Sequence, residues 1–326
     1  MLKAEYQQRG PQPHEVISAV ALHLPEPGTG QVRIKVLAAP INPSDVLTLT
    51  GEYGMLPPLP AIGGNEGVGR VEALGAEVGN LKVGQMVLLP VGCGTWVSHL
   101  NAAANKLIPL PEADPQQLAM LTVNPPTASL MLSQFVDLKP GDWVIQNAAN
   151  SGVGSYLIQL AKLRGFKTLN VVRRESAVAG VEAEGGDVVL VDGPDLAKRV
   201  RAATGGAGVR LGIDAVGGEA TDHLAASLCE GGVLVNYGMM SRQPCQVSPA
   251  SFVFRDVSLR GFWLAKWFQN ASQAEQMKVF GELVKLIASG KLHTRVADTY
   301  DVSEIKQAVA AAAGGERDGK ILIVPK

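Results

Sequence analysis

Polar and apolar positions alternate early in 31-QVRIKVLAAP-40, which predicts a half-buried strand. The segments 67-GVGRVEALG-75 and 84-GQMVLLPVG-92 carry a similar pattern between glycines. Short strands separated by turn signals predict a small β-rich sandwich or barrel over residues 1–115. The pattern changes near residue 117. The run 117-QLAMLTVNPPTASLMLSQF-135 predicts two helical stretches broken at Pro125 and Pro126, because proline cannot continue a helix interior. Strand-like and helix-like runs then alternate. The predicted strands are 143-WVIQNA-148, 168-TLNVV-172, 187-DVVLV-191, 210-RLGIDAV-216, 233-VLVNYG-238 and 257-VSLRGF-262, with 153-VGSYLIQLAKLRG-165 the clearest helix among them. Six strands with intervening helices predict an open, doubly wound, mostly parallel sheet over 116–274. The tail predicts a helix at 275–290, another at 302–313 and a last strand, 320-KILIVP-325. That strand has no sheet partner nearby in sequence, so 275–326 is expected to complete the first domain. The fold class is therefore α/β, a β-rich domain followed by a dinucleotide-binding type of domain.

Composition narrows the function. The 326 residues are enough for two domains, and 46% hydrophobic against 18% charged residues supplies ample core. A net charge of −1 implies no broad basic surface, so no nucleic-acid partner is expected. No run of 18 apolar residues occurs, so no membrane span is expected either. The opening MLKAEYQQRGPQP lacks the apolar stretch of a signal peptide and the Arg/Ser-rich character of a transit peptide, which leads us to expect a cytoplasmic protein. Three cysteines without a CxxC pair and five scattered histidines show no metal-ligand spacing.

The junction 143-WVIQNAANSGVGSYLIQLAK-162 reads as strand, tight turn and helix, the context a dinucleotide motif requires. Aligned on its last glycine, G-x-G-x-x-G becomes Ala149-Asn150-Ser151-Gly152-Val153-Gly154. Small residues still permit close backbone approach, and free N–H groups at the helix start suit a pyrophosphate. An ordinary βα turn has similar residues; the six alternating strands decide for a nucleotide. About 20 residues further on, an NAD site places an acid for the ribose 2′-hydroxyl. Here Arg173 and Arg174 stand instead. Guanidinium groups suit a 2′-phosphate, so the cofactor is read as NADPH.

The domain order, with 62-IGGNEGVGRVEALG-75 and 139-KPGDWVIQNAANSGVG-154, resembles the medium-chain dehydrogenase/reductase superfamily. That resemblance implies a GroES-like catalytic domain and a Rossmann domain. In zinc members a Cys and a His hold the catalytic metal; those places here are Asn42 in 42-NPSD-45 and Asn65 in 63-GGNEG-67. The chain therefore resembles the zinc-free branch, and no metal is expected. Within it, 41-INPSDVLTLTGEYGMLPPLPAIGGNEG-67, 122-TVNPPTA-128 and 259-LRGFWLAKW-267 are similar to the mitochondrial-type trans-2-enoyl thioester reductases. This resemblance implies that Tyr53, in 51-GEYG-54, lies against the reacting thioester. It implies cofactor contacts at Asn124, Asn150, Ser151, Gly152, Val153, Arg173 and Arg174. Further contacts are implied at Tyr237, Gly238, Met239, Met240, Phe262, Trp263, Leu264 and Lys320. The implied partners are an acyl thioester, on CoA or on an acyl carrier protein, and a second copy of the chain. The apolar strand 233–238 and the segment after it offer an edge for such pairing.

The implied reaction reduces the C2=C3 bond of an enoyl thioester, with hydride to the β-carbon and a proton to the α-carbon. A phenol of pKa about 10 keeps its proton at neutral pH and is able to donate it. From its own surroundings Tyr53 is equally a loop anchor or the donor; the resemblance favours the donor. Three functions stay open: enoyl thioester reductase, NADPH quinone or enone reductase, and a non-catalytic NADPH-binding structural protein.

Overall fold

The computed structural model describes residues 1–315 and 318–326. The chain divides into two compact units, Met1–Val123 with Phe280–Lys326, and Asn124–Val279. The change of pattern was expected at 116 and 275. The helix Pro115–Leu118 instead packs on strands Gln31–Pro40 and Val68–Leu74, which keeps it with the first unit. The prolines expected to break a helix begin one: Pro125 and Pro126 lie in the first turn of Asn124–Gln134. There the missing N–H groups have no intrahelical acceptor in any case.

The second unit is built on a six-stranded parallel sheet. Its spatial order is Val188–Val191, Lys167–Val172, Trp143–Gln146, Val209–Asp214, Val233–Asn236, Ser258–Gly261. Numbered by chain order this is 3-2-1-4-5-6, the Rossmann arrangement. The two faces follow the period of two along each strand. Leu169 and Val171 pack with Leu196, Val200, Leu224 and Ala225 of two helices. Val172, Val189 and Val191 face the opposite way, toward Ile158 and Val181 of two others. Strand Val233–Asn236 is bonded on both sides, so it is not the edge the sequence pattern pointed to. Among the described residues the edge on that side is Ser258–Gly261.

In the first unit, strand Gln31–Pro40 is the central pairing element. It bonds antiparallel to Val68–Leu74, His99–Ala103 and Lys320–Ile323. The tail strand thus joins the N-terminal sheet, and helix Ile305–Ala313 buries Ile305, Ala308, Val309 and Ala312 in the same core. Trp96 sits fully buried in this core, its Nε1 donating to the Pro40 carbonyl at 3.2 Å. The motif 63-GGNEG-67 is shaped around it. A Cβ at Gly63 would lie 2.2 Å from the Trp96 ring; one at Gly64, whose φ is +96°, would lie 2.6 Å from it. Neither glycine has room for a side chain. No helix among the described residues is long and apolar enough to cross a membrane.

Replacing Gly64 by alanine combines an unfavourable φ with overlap on a buried indole. The expected outcome is a loss of about 1–3 kcal/mol of stability, read from denaturant unfolding.

Candidate active site

The first unit carries a buried polar network around Asn42 and Asn65. Asn42 caps helix Pro43–Thr50, and its backbone N–H donates to Asp45 Oδ2 at 2.7 Å, closing a capping box. Asp45 Oδ1 accepts from Asn65 Nδ2 at 2.7 Å. Asn42 Nδ2 donates to Glu66 Oε1 at 2.7 Å, while Lys320 Nζ donates to Asn42 Oδ1. The second carboxylate oxygen of Glu66 accepts from Thr122 twice, N–H at 3.0 Å and hydroxyl at 2.8 Å. Glu66 is fully buried, and Asn42, Asp45, Thr122 and Lys320 are each 5% exposed or less.

Two carboxyls here share one ammonium. Burial raises the pKa of both; the hydrogen bonds and the Lys320 charge oppose it. Asp45 is pushed up to about 7, by burial first and by the neighbouring Glu66 charge besides. As pH falls through about 7, Asp45 takes up a proton, while burial pushes Glu66 in the same direction against its hydrogen bonds and the Lys320 charge. Among the described residues no group of three or more His, Cys, Asp or Glu side chains is placed to hold a metal ion.

Helix Pro43–Thr50 leads from this network to Tyr53. Gly51 ends the helix in the left-handed region, φ +86°. The N–H groups of Glu52 and Tyr53 both donate to Leu47 O, at 2.9 and 3.2 Å. Tyr53 is half-buried on the turn that follows.

In the second unit the predicted cofactor residues gather at the carboxyl ends of the strands. Ser151 caps helix Gly152–Leu163, its hydroxyl accepting from Gly154 N at 3.1 Å. A Cβ at Gly154 would lie 2.4 Å from the Ala149 carbonyl oxygen, and one at Gly238 would lie 2.6 Å from that of Ala215. Both obstacles are backbone, so only glycine fits. The Tyr237 and Ser151 side chains share a hydrogen bond; Tyr237 is half-buried as a residue, yet its hydroxyl is buried, which raises its pKa. Arg173 is exposed and Arg174 half-buried after strand Lys167–Val172. Met239 and Met240 are exposed beyond strand Val233–Asn236. Phe262 packs edge-on against Phe135 at 6.1 Å, Trp263 caps helix Leu264–Asn270, and Asn124 is buried at a helix start. Asn150 is exposed in the turn; Gly152 and Val153 open the helix. Lys320 belongs to the first unit.

One residue missing from the predicted set organises this end of the sheet. Asp214 is fully buried and accepts from Asn147 Nδ2 at 2.6 Å, Thr221 Oγ1 at 2.7 Å and Asn236 Nδ2 at 2.9 Å. It also accepts from the N–H groups of Val216 and Gly217, at 2.9 and 3.1 Å. It ties three adjacent strand ends together. The signal was visible: an acid inside the largely apolar stretch 210-RLGIDAV-216 demands partners.

The comparisons bear on these sites. A model described as alcohol dehydrogenase GroES-like domain matches residues 28–112, and one described as zinc-binding dehydrogenase matches 152–280. The mitochondrial enoyl-[acyl-carrier-protein] reductase of Rattus norvegicus is 39% identical over 307 residues, 92% of this chain and 82% of that protein. The human counterpart is 37% identical over 310 residues, with the same shares. The chain belongs to the zinc-free enoyl thioester reductases of the medium-chain dehydrogenase/reductase superfamily.

Solved structures agree with the fold. The Candida tropicalis mitochondrial 2-enoyl thioester reductase Etr1p/Etr2p heterodimer gives a TM-score of 0.89 at 26% identity, over 99% of each chain. The Etr1p/NADP/crotonyl-CoA complex gives 0.88 at 26%, over the same shares. A candidate NADPH:quinone reductase from Bacillus thuringiensis gives 0.89 at 28%, over 100% of this chain and 99% of that one. The expected cytoplasmic location is corrected: the curated relatives of this reductase named here are mitochondrial enzymes.

The Asp45 pKa has a testable sign. Its folded value, about 7, lies above the ordinary 3.8, so between the two the folded reductase holds a proton the unfolded chain has lost. This stabilisation is complete below pH 4 and disappears as pH rises through 7. Thermal unfolding of the parent beside Asp45→Asn is expected to show the parent losing ground steadily from pH 4 to 7, then holding level.

Proposed function

We propose that this reductase reduces the C2=C3 double bond of trans-2-enoyl thioesters with NADPH, and that Tyr53 protonates the α-carbon. The observation that carries the reading is the pair of features in the first unit. The amides at the metal-ligand places are committed to hydrogen bonds with Glu66, Lys320 and Asp45. Tyr53, a proton-bearing phenol, follows the helix those bonds cap.

The cofactor is NADPH, and the chain is an NADPH-dependent oxidoreductase acting on enoyl thioesters. The second unit fits this cofactor: two glycines leave backbone clear at the strand ends, and Ser151 opens a helix whose first N–H groups suit a pyrophosphate. Arg173 and Arg174 take the 2′-phosphate by charge-assisted bonds. Asn124, Asn150, Gly152, Val153, Tyr237, Gly238, Met239, Met240, Phe262, Trp263 and Leu264 complete the cofactor set. Lys320 belongs to it with an ammonium already held against Asn42. When bound, the cofactor is the source of the hydride that goes to the β-carbon. Negative charge then builds on the thioester oxygen, and the Tyr53 hydroxyl gives its proton to the α-carbon. Backbone donors in a dehydrated site strengthen the stabilisation of that oxygen.

The acyl group arrives on CoA or on an acyl carrier protein, as the Etr1p complex and the names of the curated relatives respectively support. The working assembly is a homodimer. Edge strand Ser258–Gly261, with Phe254 80% and Val253 71% exposed beside it in sequence, supports pairing there. A second reading, NADPH quinone reduction, is favoured by the Bacillus thuringiensis match. It requires the same hydride and no dedicated proton donor.

Turnover of crotonyl-CoA and of 1,4-benzoquinone, each with NADPH and NADH, decides between the two. The expected outcome is fast NADPH-dependent reduction of crotonyl-CoA and slow reduction of the quinone. Tyr53→Phe is expected to lower kcat on crotonyl-CoA about 100- to 10,000-fold. Full activity in that variant sinks the donor role. Replacing Arg173 and Arg174 together by alanine is expected to raise the NADPH KM about ten- to a hundredfold, with little effect on NADH.

A further inference from the structure

The segment from Gly51 to Pro60 joins helix Pro43–Thr50 to strand Ala61–Ile62, and little of it is buried. Met55 is 50% exposed, Leu56 43% and Leu59 39%. Such a loop draws little rigidity from core packing. Yet a proton donor on it must be held within a fraction of an ångström. At its near end, the bonds to Leu47 O hold Tyr53 to the helix. Further along the loop, Arg9 makes contact. Arg9 Nη2 donates to the Pro57 carbonyl oxygen. The aliphatic stem of Arg9 also lies over Gly51, where an added Cβ would be 3.4 Å from Arg9 Cδ. Its guanidinium charge also acts on the hydroxyl of Tyr6, which is 2% exposed in the strand that pairs with Ala61. The next residue, Gly10, donates its N–H to Leu49 O in the last turn of the helix, at 3.1 Å. One side chain therefore touches the start of the loop, its middle and the strand beside its exit.

We propose that Arg9 is a positioning residue: it spans the loop from Gly51 to Pro57 and sets the place of Tyr53, thereby controlling the proton-transfer step. The proposal rests on the reading of Tyr53 as donor. Arg9 touches no reacting atom. A planar guanidinium with several fixed donors suits a brace that bonds a carbonyl on one side and faces a phenol on another. A lysine ammonium is a single point on a flexible stem and does not reproduce both directions.

The test uses the full-length enzyme with NADPH and crotonyl-CoA. Arg9→Met keeps the stem and removes the donors. The expected result is a kcat lowered about ten- to a hundredfold, with the NADPH dissociation constant, read by cofactor fluorescence, and the melting temperature unchanged. Arg9→Lys recovers part of the loss, and added guanidinium ion at non-denaturing concentration recovers part of it in Arg9→Ala. The double variant Arg9→Met, Tyr53→Phe is expected to be no slower than Tyr53→Phe alone, because both act on one step. Several results overturn the brace alone: an unchanged kcat in Arg9→Met beside a damaged Tyr53→Phe, additive losses in the double variant, or parallel loss of NADPH binding and melting temperature. Full activity in Tyr53→Phe overturns the donor reading, and the brace with it.

Discussion

The first unit depends on one buried cluster of charge. Glu66, fully buried, has each carboxylate oxygen committed, one to Asn42 and the other to Thr122. A carboxylate taken out of water carries a penalty of several kcal/mol, and breaking a buried pair by deleting one partner costs about 3–5 kcal/mol. The cluster is stable because four distant stretches supply its partners: the N-cap at 42, the loop at 65–66, the segment at 122 and the tail strand at 320. Each stretch is thereby tied to the others. Helix Pro43–Thr50, fixed at its first residue, carries Tyr53 just beyond its last. The tail strand is fixed twice, by the Lys320 ammonium and by its ladder to Gln31–Pro40.

A similar arrangement orders the second unit. Asp214 holds the ends of strands Trp143–Gln146, Val209–Asp214 and Val233–Asn236 through Asn147 and Asn236. Gly154 and Gly238 then let the backbone come close without side chains in the way. In both units buried acids tie together loops that are distant in the sequence.

All six strands of the parallel sheet were legible, because each is a short, largely apolar run between turn signals and the sheet buries both faces. The turn at 149–154 was legible too, since its small residues answer a local steric demand. Other features needed coordinates. Pro125 and Pro126 are the same residues whether they break a helix or open one; only the upstream backbone tells. The sheet edge was expected at strand 233–238 and lies at Ser258–Gly261, because strand order is set by packing across the sheet. The cytoplasmic expectation failed for another reason: a short N-terminal stretch says little beside similarity over the whole chain.

The sequence by itself determined the order of the two domains, the alternation that builds the parallel sheet, and the family. These rest on local period and on residue chemistry readable at one position. Only the tertiary structure decided that Asn42, Asp45, Asn65, Glu66, Thr122 and Lys320 form one network, since Asn42 and Lys320 are 278 positions apart in the chain. It alone brought Arg9 across the loop of Tyr53. Contacts between distant residues depend on how whole elements pack, and no window of sequence contains both partners.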